Sequence, residues 1–174
     1  MSVFLAMLVS IWAALLSWYD FRERRLPNWL TLGGAVVALC YRLFFGVPGS
    51  FLSGFVAACV AGFFLLIPFL LRGAGGGDVK MLFASGAIVG WVGLVPLLVY
   101  MSLAGVLIGI VMLVKGKLDI SRLRHLFRCC FDWRYDRLAG KAALPARESE
   151  LVRIPFAAAI AIGLLASYAW PLTQ

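Results

Sequence analysis

From Val79 to Val114 the chain runs for 36 residues with Lys80 as its only charge. As one straight helix this run would be about 54 Å long, too long for a single untilted crossing of a bilayer core of about 30 Å and slightly short for two crossings. Trp91, Gly93 and Pro96 offer a turn near its middle, which would give spans over roughly 79–93 and 95–114. Four more apolar stretches, at roughly 2–19, 29–46, 50–71 and 154–171, bring the expected number of spans to six. Inside hydrocarbon each segment must satisfy its own backbone N–H and C=O groups, so the expectation is an all-α, polytopic membrane protein. With 63% of residues hydrophobic and 14% charged, an ordinary soluble domain is excluded. Residues 1–174 are expected to form a single membrane-embedded domain. No basic region precedes the first stretch and no small-residue cleavage site follows it, so the first span is expected to be retained rather than removed as a signal peptide.

The formal charge of +8 follows a topology and does not call for nucleic acid as a partner. Arg22, Arg24 and Arg25 lie after the first span, Arg72 and Lys80 around the glycine run, and ten basic residues in segment 115–153. Fifteen of the sixteen basic residues fall on one face only if Val79–Val114 crosses twice, and Arg42 is the one left over. The positive-inside rule therefore favours six spans with both termini outside the cytoplasm and the basic loops inside it. Segment 115–153 is the only sizeable piece outside the spans. In it Ile120, Leu123, Phe127, Cys130, Phe131 and Leu138 recur at roughly helical spacing among arginines. This pattern predicts a basic amphipathic helix at the headgroups, acting as a membrane anchor or as a docking surface for a partner.

Two carboxylates stand at the edges of apolar stretches, Asp20 in Tyr19-Asp20-Phe21-Arg22-Glu23-Arg24-Arg25-Leu26-Pro27-Asn28 and Asp78 in Gly75-Gly76-Gly77-Asp78-Val79-Lys80. A carboxylate beside a bilayer is costly to keep. Two brought together could share one proton, one activating a water while the other polarises a carbonyl and later protonates the leaving amine. Asp20 ends a helix and Asp78 begins one, so the helix dipoles favour the proton on Asp20 and the charge on Asp78, a bias that Arg22 and Arg24 could cancel. The plain alternative for Asp20 is an interfacial charge at a span end.

Around Asp78, Gly73-Ala74-Gly75-Gly76-Gly77 carries no large side chain. Gly75 and Gly77 are expected to permit positive φ and to let a substrate backbone approach, or else to form a plain inter-helix turn. Lys80 positions Asp78, binds a substrate carbonyl, or simply snorkels as an interfacial lysine. Arg22 and Asn28 are expected to order the loop after Asp20, with Pro27 fixing its turn. Pro68 is expected to kink the third span, and Pro155 to open the last one. Small residues four apart (Gly54, Ala58 and Gly62; Gly86 and Gly90; Gly105 and Gly109) suit close helix packing, within the bundle or between copies in a homo-oligomer. Cys40, Cys59, Cys129 and Cys130 form no C-x-x-C pair and His125 stands alone, so neither a metal nor a cofactor is expected.

In D-x-R-x-x-x-L-P-N after the first span, G-x-G-D-V-K before the fourth, and Arg153-Ile154-Pro155-Phe156-Ala157 opening the last, the chain resembles the prepilin peptidases, membrane aspartyl proteases of the GxGD type. The resemblance implies Asp20 and Asp78 as catalytic residues, pilin-like precursors as partners, and cleavage of a short basic leader ending in glycine. It also implies a multi-pass protein of the bacterial inner membrane with its active site at the cytoplasmic face. The chain lacks the N-terminal extension and paired C-x-x-C zinc motif of the larger members, so the resemblance does not carry their N-methyltransferase activity; the short form looks like the tight-adherence (Tad) pilus branch. Two rivals differ in testable ways. A presenilin or signal-peptide-peptidase type of GxGD protease would set its aspartates deeper, within helices. A small proton-coupled transporter would use Asp20 and Asp78 as a relay and cut no peptide.

Overall fold

The computed structural model describes residues 3–23, 26–70, 74–114 and 156–169, and nearly all of these lie in helices. In chain order they are α1 (Val3–Glu23), α2 (Asn28–Phe45), α3 (Ser50–Leu70), α4 (Gly76–Val114) and α5 (Phe156–Ala169). The first four are long and apolar enough to cross a membrane, and α5 is a shorter apolar helix. The all-α polytopic expectation therefore holds. Segment 115–153, with its predicted amphipathic helix, lies outside the described residues, as do Arg24, Arg25, Arg72, Gly73 and Pro155.

α4 is two helices in one run. At Gly90 the backbone turns to φ 73°, ψ −173°, a conformation closed to residues with a Cβ, and this divides α4 into 76–89 and 91–114. The sequence places a turn in this region at Trp91, Gly93 and Pro96; the break falls at Gly90 instead, and Pro96 lies buried inside the second half. As the sixth residue of that half, Pro96 denies the Val92 carbonyl its i→i−4 partner, and the helix continues through it, a loss that membrane helices tolerate.

Arg42 serves the break. Its Nε donates to Ala87 O (2.8 Å) and its Nη2 to Ile88 O (2.8 Å), while Nη1 reaches Ser50 O (3.3 Å) and Ser50 Oγ (3.1 Å). Carbonyls at the end of a helix have no intrahelical partner, and the planar guanidinium supplies donors in a fixed fork. On the far side of the break the Trp91 N–H donates to Ser53 Oγ at 3.0 Å. The basic residue that stands outside the charge pattern is thus a helix cap made by the neighbouring helix.

α3 and α5 pack chiefly against α4. A Cβ on Gly86 would lie 2.7 Å from Ala57 O, 2.9 Å from Ala58 Cα and 2.9 Å from Ala61 Cβ, and one on Gly163 would lie 2.6 Å from the Met101 N. Absent side chains therefore let the backbones touch, the packing mode of helices in lipid. Of the glycines in the expected spacing pattern, Gly54 and Gly86 are closely packed; a Cβ at Gly62 or Gly105 would make only ordinary contact, Gly109 has no described neighbour within 4 Å, and Gly90 serves the backbone break. One buried cluster draws on α1 (Ala13, Leu16), α3 (Ala57, Ala61, Leu65), both halves of α4 (Met81, Leu82, Leu97, Met101) and α5 (Ile160, Leu164). Outside it, Phe4, Ile11, Val37, Phe44, Phe63 and Val106 are exposed, an apolar exterior matched to acyl chains.

Candidate active site

The candidate residues stand at three helix ends, the last turn of α1 and the starts of α2 and α4. Trp12 Nε1 donates to Leu30 O at 2.9 Å and covers Gly34, which joins α1 to α2 a few turns below the linker. Asp20 stands on the last turn of α1, half-buried. The linker then returns through Leu26 and Pro27 into α2. Pro27 caps this helix with an extended backbone, and its carbonyl accepts from the N–H groups of Leu30 (3.1 Å) and Thr31 (3.2 Å). Thr31, fully buried, places its hydroxyl 3.3 Å from the carbonyls of both Pro27 and Asn28.

Asp78 occupies the third position of α4 and is only 8% exposed. Gly75 is the cap residue, its carbonyl accepting from the N–H groups of Asp78 (3.1 Å) and Val79 (3.4 Å). In return the Gly75 N–H donates to Asp78 Oδ2 at 3.0 Å. This is the side-chain half of a capping box, satisfying one of the unpaired donors at a helix start. It pins one carboxylate oxygen to the backbone and fixes the orientation of the group.

The two motifs meet at the first turn of α4. Lys80 Nζ donates to Asn28 Oδ1 at 2.8 Å, across 52 positions of sequence. Leu26 sits on Gly77, where an added Cβ would lie 2.9 Å from Leu26 Cβ, 3.1 Å from Cδ1 and 3.2 Å from Cγ. The structure thus gathers Gly75, Gly77, Asp78 and Lys80 with Leu26 and Asn28. Arg22 goes elsewhere: it is exposed and lines an open depression with Trp18 and Phe21.

The reason for the glycines differs from the expectation. Among the described glycines only Gly49 (φ 81°) and Gly90 adopt positive φ, so Gly75 and Gly77 are not required by a left-handed backbone. Gly77 is small because Leu26 fills the space beside it. Gly75 is small because the Asp78 carboxylate folds over it, with Oδ2 3.1 Å from where a Cβ would stand. Leu26 is the fixed leucine of the D-x-R-x-x-x-L-P-N stretch, but the sequence pattern assigns it no role. Arg42 was visible only as the exception to the charge distribution. Among the described residues no three His, Cys, Asp or Glu side chains are grouped so as to hold a metal ion.

The model of the type IV leader peptidase family matches residues 7–110, more than half of the chain. The match takes in most of α1, all of α2 and α3 and most of α4, and with them every residue of the site just described. No curated protein and no solved structure matches the chain.

Proposed function

The chain belongs to the type IV leader peptidase family, and from that premise we propose that it is a membrane aspartyl endopeptidase in which Asp20 and Asp78 form the catalytic pair. Its substrates are pilin-like precursors, cut on the cytoplasmic side of the bacterial inner membrane after a short basic leader ending in glycine. The cleaved product keeps its apolar N-terminal helix in the bilayer.

The observation that carries this reading is the docking of the Asp20 linker onto the Asp78 helix through Leu26–Gly77 and Asn28–Lys80. It joins the two motifs at one end of the bundle, as paired-carboxylate chemistry requires. In the reaction one carboxylate takes a proton from a water, whose oxygen bonds to the scissile carbonyl carbon. The other, protonated, gives its proton to the carbonyl oxygen. The tetrahedral diol then collapses as its C–N bond breaks, and the amine leaves with a proton from the pair. Positions at the last turn of one helix and the first turn of another, rather than mid-helix, favour a substrate entering from the membrane surface over one cleaved within the bilayer.

The test is precursor processing by Asp20→Ala, Asp78→Ala and Asp78→Asn proteins. All three are expected to be inactive, since a single carboxylate lacks either base or acid. Asp78→Asn keeps an oxygen to accept the Gly75 N–H, so it should unfold close to wild type, whereas Asp78→Ala should lose about 1 kcal/mol of cap. Full processing by any of them rejects the mechanism. Proton flux in vesicles without peptide cleavage would make the protein a transporter instead.

A further inference from the structure

Resting on that reading, we propose that Lys80 is a positioning residue: with Asn28 it forms a clasp that sets the Asp20 linker against the Asp78 helix, and it does not bind substrate. An interfacial lysine without a specific role extends its ammonium toward water. Lys80 instead turns across to α2 and donates to the amide oxygen of Asn28 at 2.8 Å.

The geometry makes this a two-point attachment. Leu26 and Asn28, two positions apart on the linker, meet Gly77 and Lys80, which are three apart on α4 and so lie about one turn from each other on the same face. One contact would leave the linker free to pivot; two set its direction as well as its distance. The linker is itself stiff at this point. Pro27 has a fixed φ, its carbonyl is held by the N–H groups of Leu30 and Thr31, and the buried Thr31 hydroxyl lies against the carbonyls of Pro27 and Asn28. A displacement of Asn28 therefore moves the whole start of α2, with Pro27 and the adjoining Leu26, rather than being absorbed at one side chain.

Asn28→Ala, Asn28→Asp, Lys80→Met and the Asn28→Ala/Lys80→Met double variant test this in vesicles of phosphatidylethanolamine and phosphatidylglycerol. The probe is a precursor whose basic leader ends in glycine before an apolar helix. Asn28→Ala and Lys80→Met should each lower kcat by about 10- to 100-fold, the scale of a 1 Å misplacement, with KM nearly unchanged. The double variant should be no worse than the poorer single one, because both remove the same bond. Asn28→Asp, whose carboxylate accepts from the same ammonium, should regain most of the rate lost in Asn28→Ala and thereby show that the fold survives. A normal rate in Asn28→Ala, additive losses in the double variant, or a raised KM confined to Lys80→Met overturns the clasp; the last of these assigns Lys80 to substrate. Asp20→Asn and Asp78→Asn separate the two levels: if either cuts the precursor, the catalytic reading fails, whereas inactive aspartate variants beside normal clasp variants sink the clasp alone.

Discussion

Adding one methyl group at Gly77 should damage catalysis, and removing a side chain at Leu26 should repair it. In Gly77→Ala the new Cβ would stand 2.9 Å from Leu26 Cβ, 3.1 Å from its Cδ1 and 3.2 Å from its Cγ. Carbon atoms rest at about 3.5–4.0 Å, so Leu26 must retreat by roughly 0.6–1 Å. A rotamer change cannot provide this, because the nearest atom is the Cβ, which moves only with the backbone. Asn28 is two residues along the same stiff linker, and a shift of about 1 Å would carry its Oδ1 from 2.8 Å to beyond hydrogen-bonding distance of Lys80. Overpacking of this kind costs about 1–3 kcal/mol in stability, and a 1 Å displacement near reacting groups costs about 100-fold in rate. The assay is single-turnover cleavage of a leader-bearing precursor in proteoliposomes, with unfolding followed in parallel. Gly77→Ala should cut about 10- to 100-fold more slowly than wild type, and Gly77→Ala/Leu26→Gly should be faster than Gly77→Ala alone. Wild-type cleavage by Gly77→Ala, or a double variant no better than the single one, would refute the argument that Leu26 and Gly77 set the linker.

Three other outcomes follow from the packing and the charge pattern. Arg42→Met should destabilise the protein by about 2–5 kcal/mol in an unfolding titration, because the Ala87 and Ile88 carbonyls at the Gly90 break lose their donors; Arg42→Lys should recover only part, having no planar fork. Gly86→Ala, forced onto the backbone of α3, should cost about 1–3 kcal/mol, while Gly109→Ala, with nothing near it, should stay within about 0.5 kcal/mol of wild type on the same titration. Reporters fused after Arg25 and after Lys117 should report the cytoplasm, and those near Val47 and Trp91 the opposite side; a non-cytoplasmic signal at Lys117 would overturn the double crossing of Val79–Val114.

The helical, membrane-spanning character of this chain was determined by its sequence alone. Hydrocarbon leaves the backbone no partner but itself, so apolar stretches of the lengths seen at 3–23, 28–45 and 50–70 have one outcome. The two carboxylates were equally legible, since a charge at the edge of a span stands out against its neighbours. What the sequence left open were relations between segments far apart in the chain. That α4 breaks at Gly90, and not at the nearby Gly93 or Pro96, depends on Arg42 being within reach to hold the carbonyls of Ala87 and Ile88. That Gly77 lacks a side chain for the sake of Leu26, not for an unusual φ, depends on how the linker folds back onto α4. That Lys80 turns to Asn28 depends on α2 and α4 starting at the same level. Periodicity and hydropathy describe a residue by its neighbours along the chain, whereas a cap, a cradle or a clasp is made by a residue dozens of positions away, and only packing decides which one arrives there.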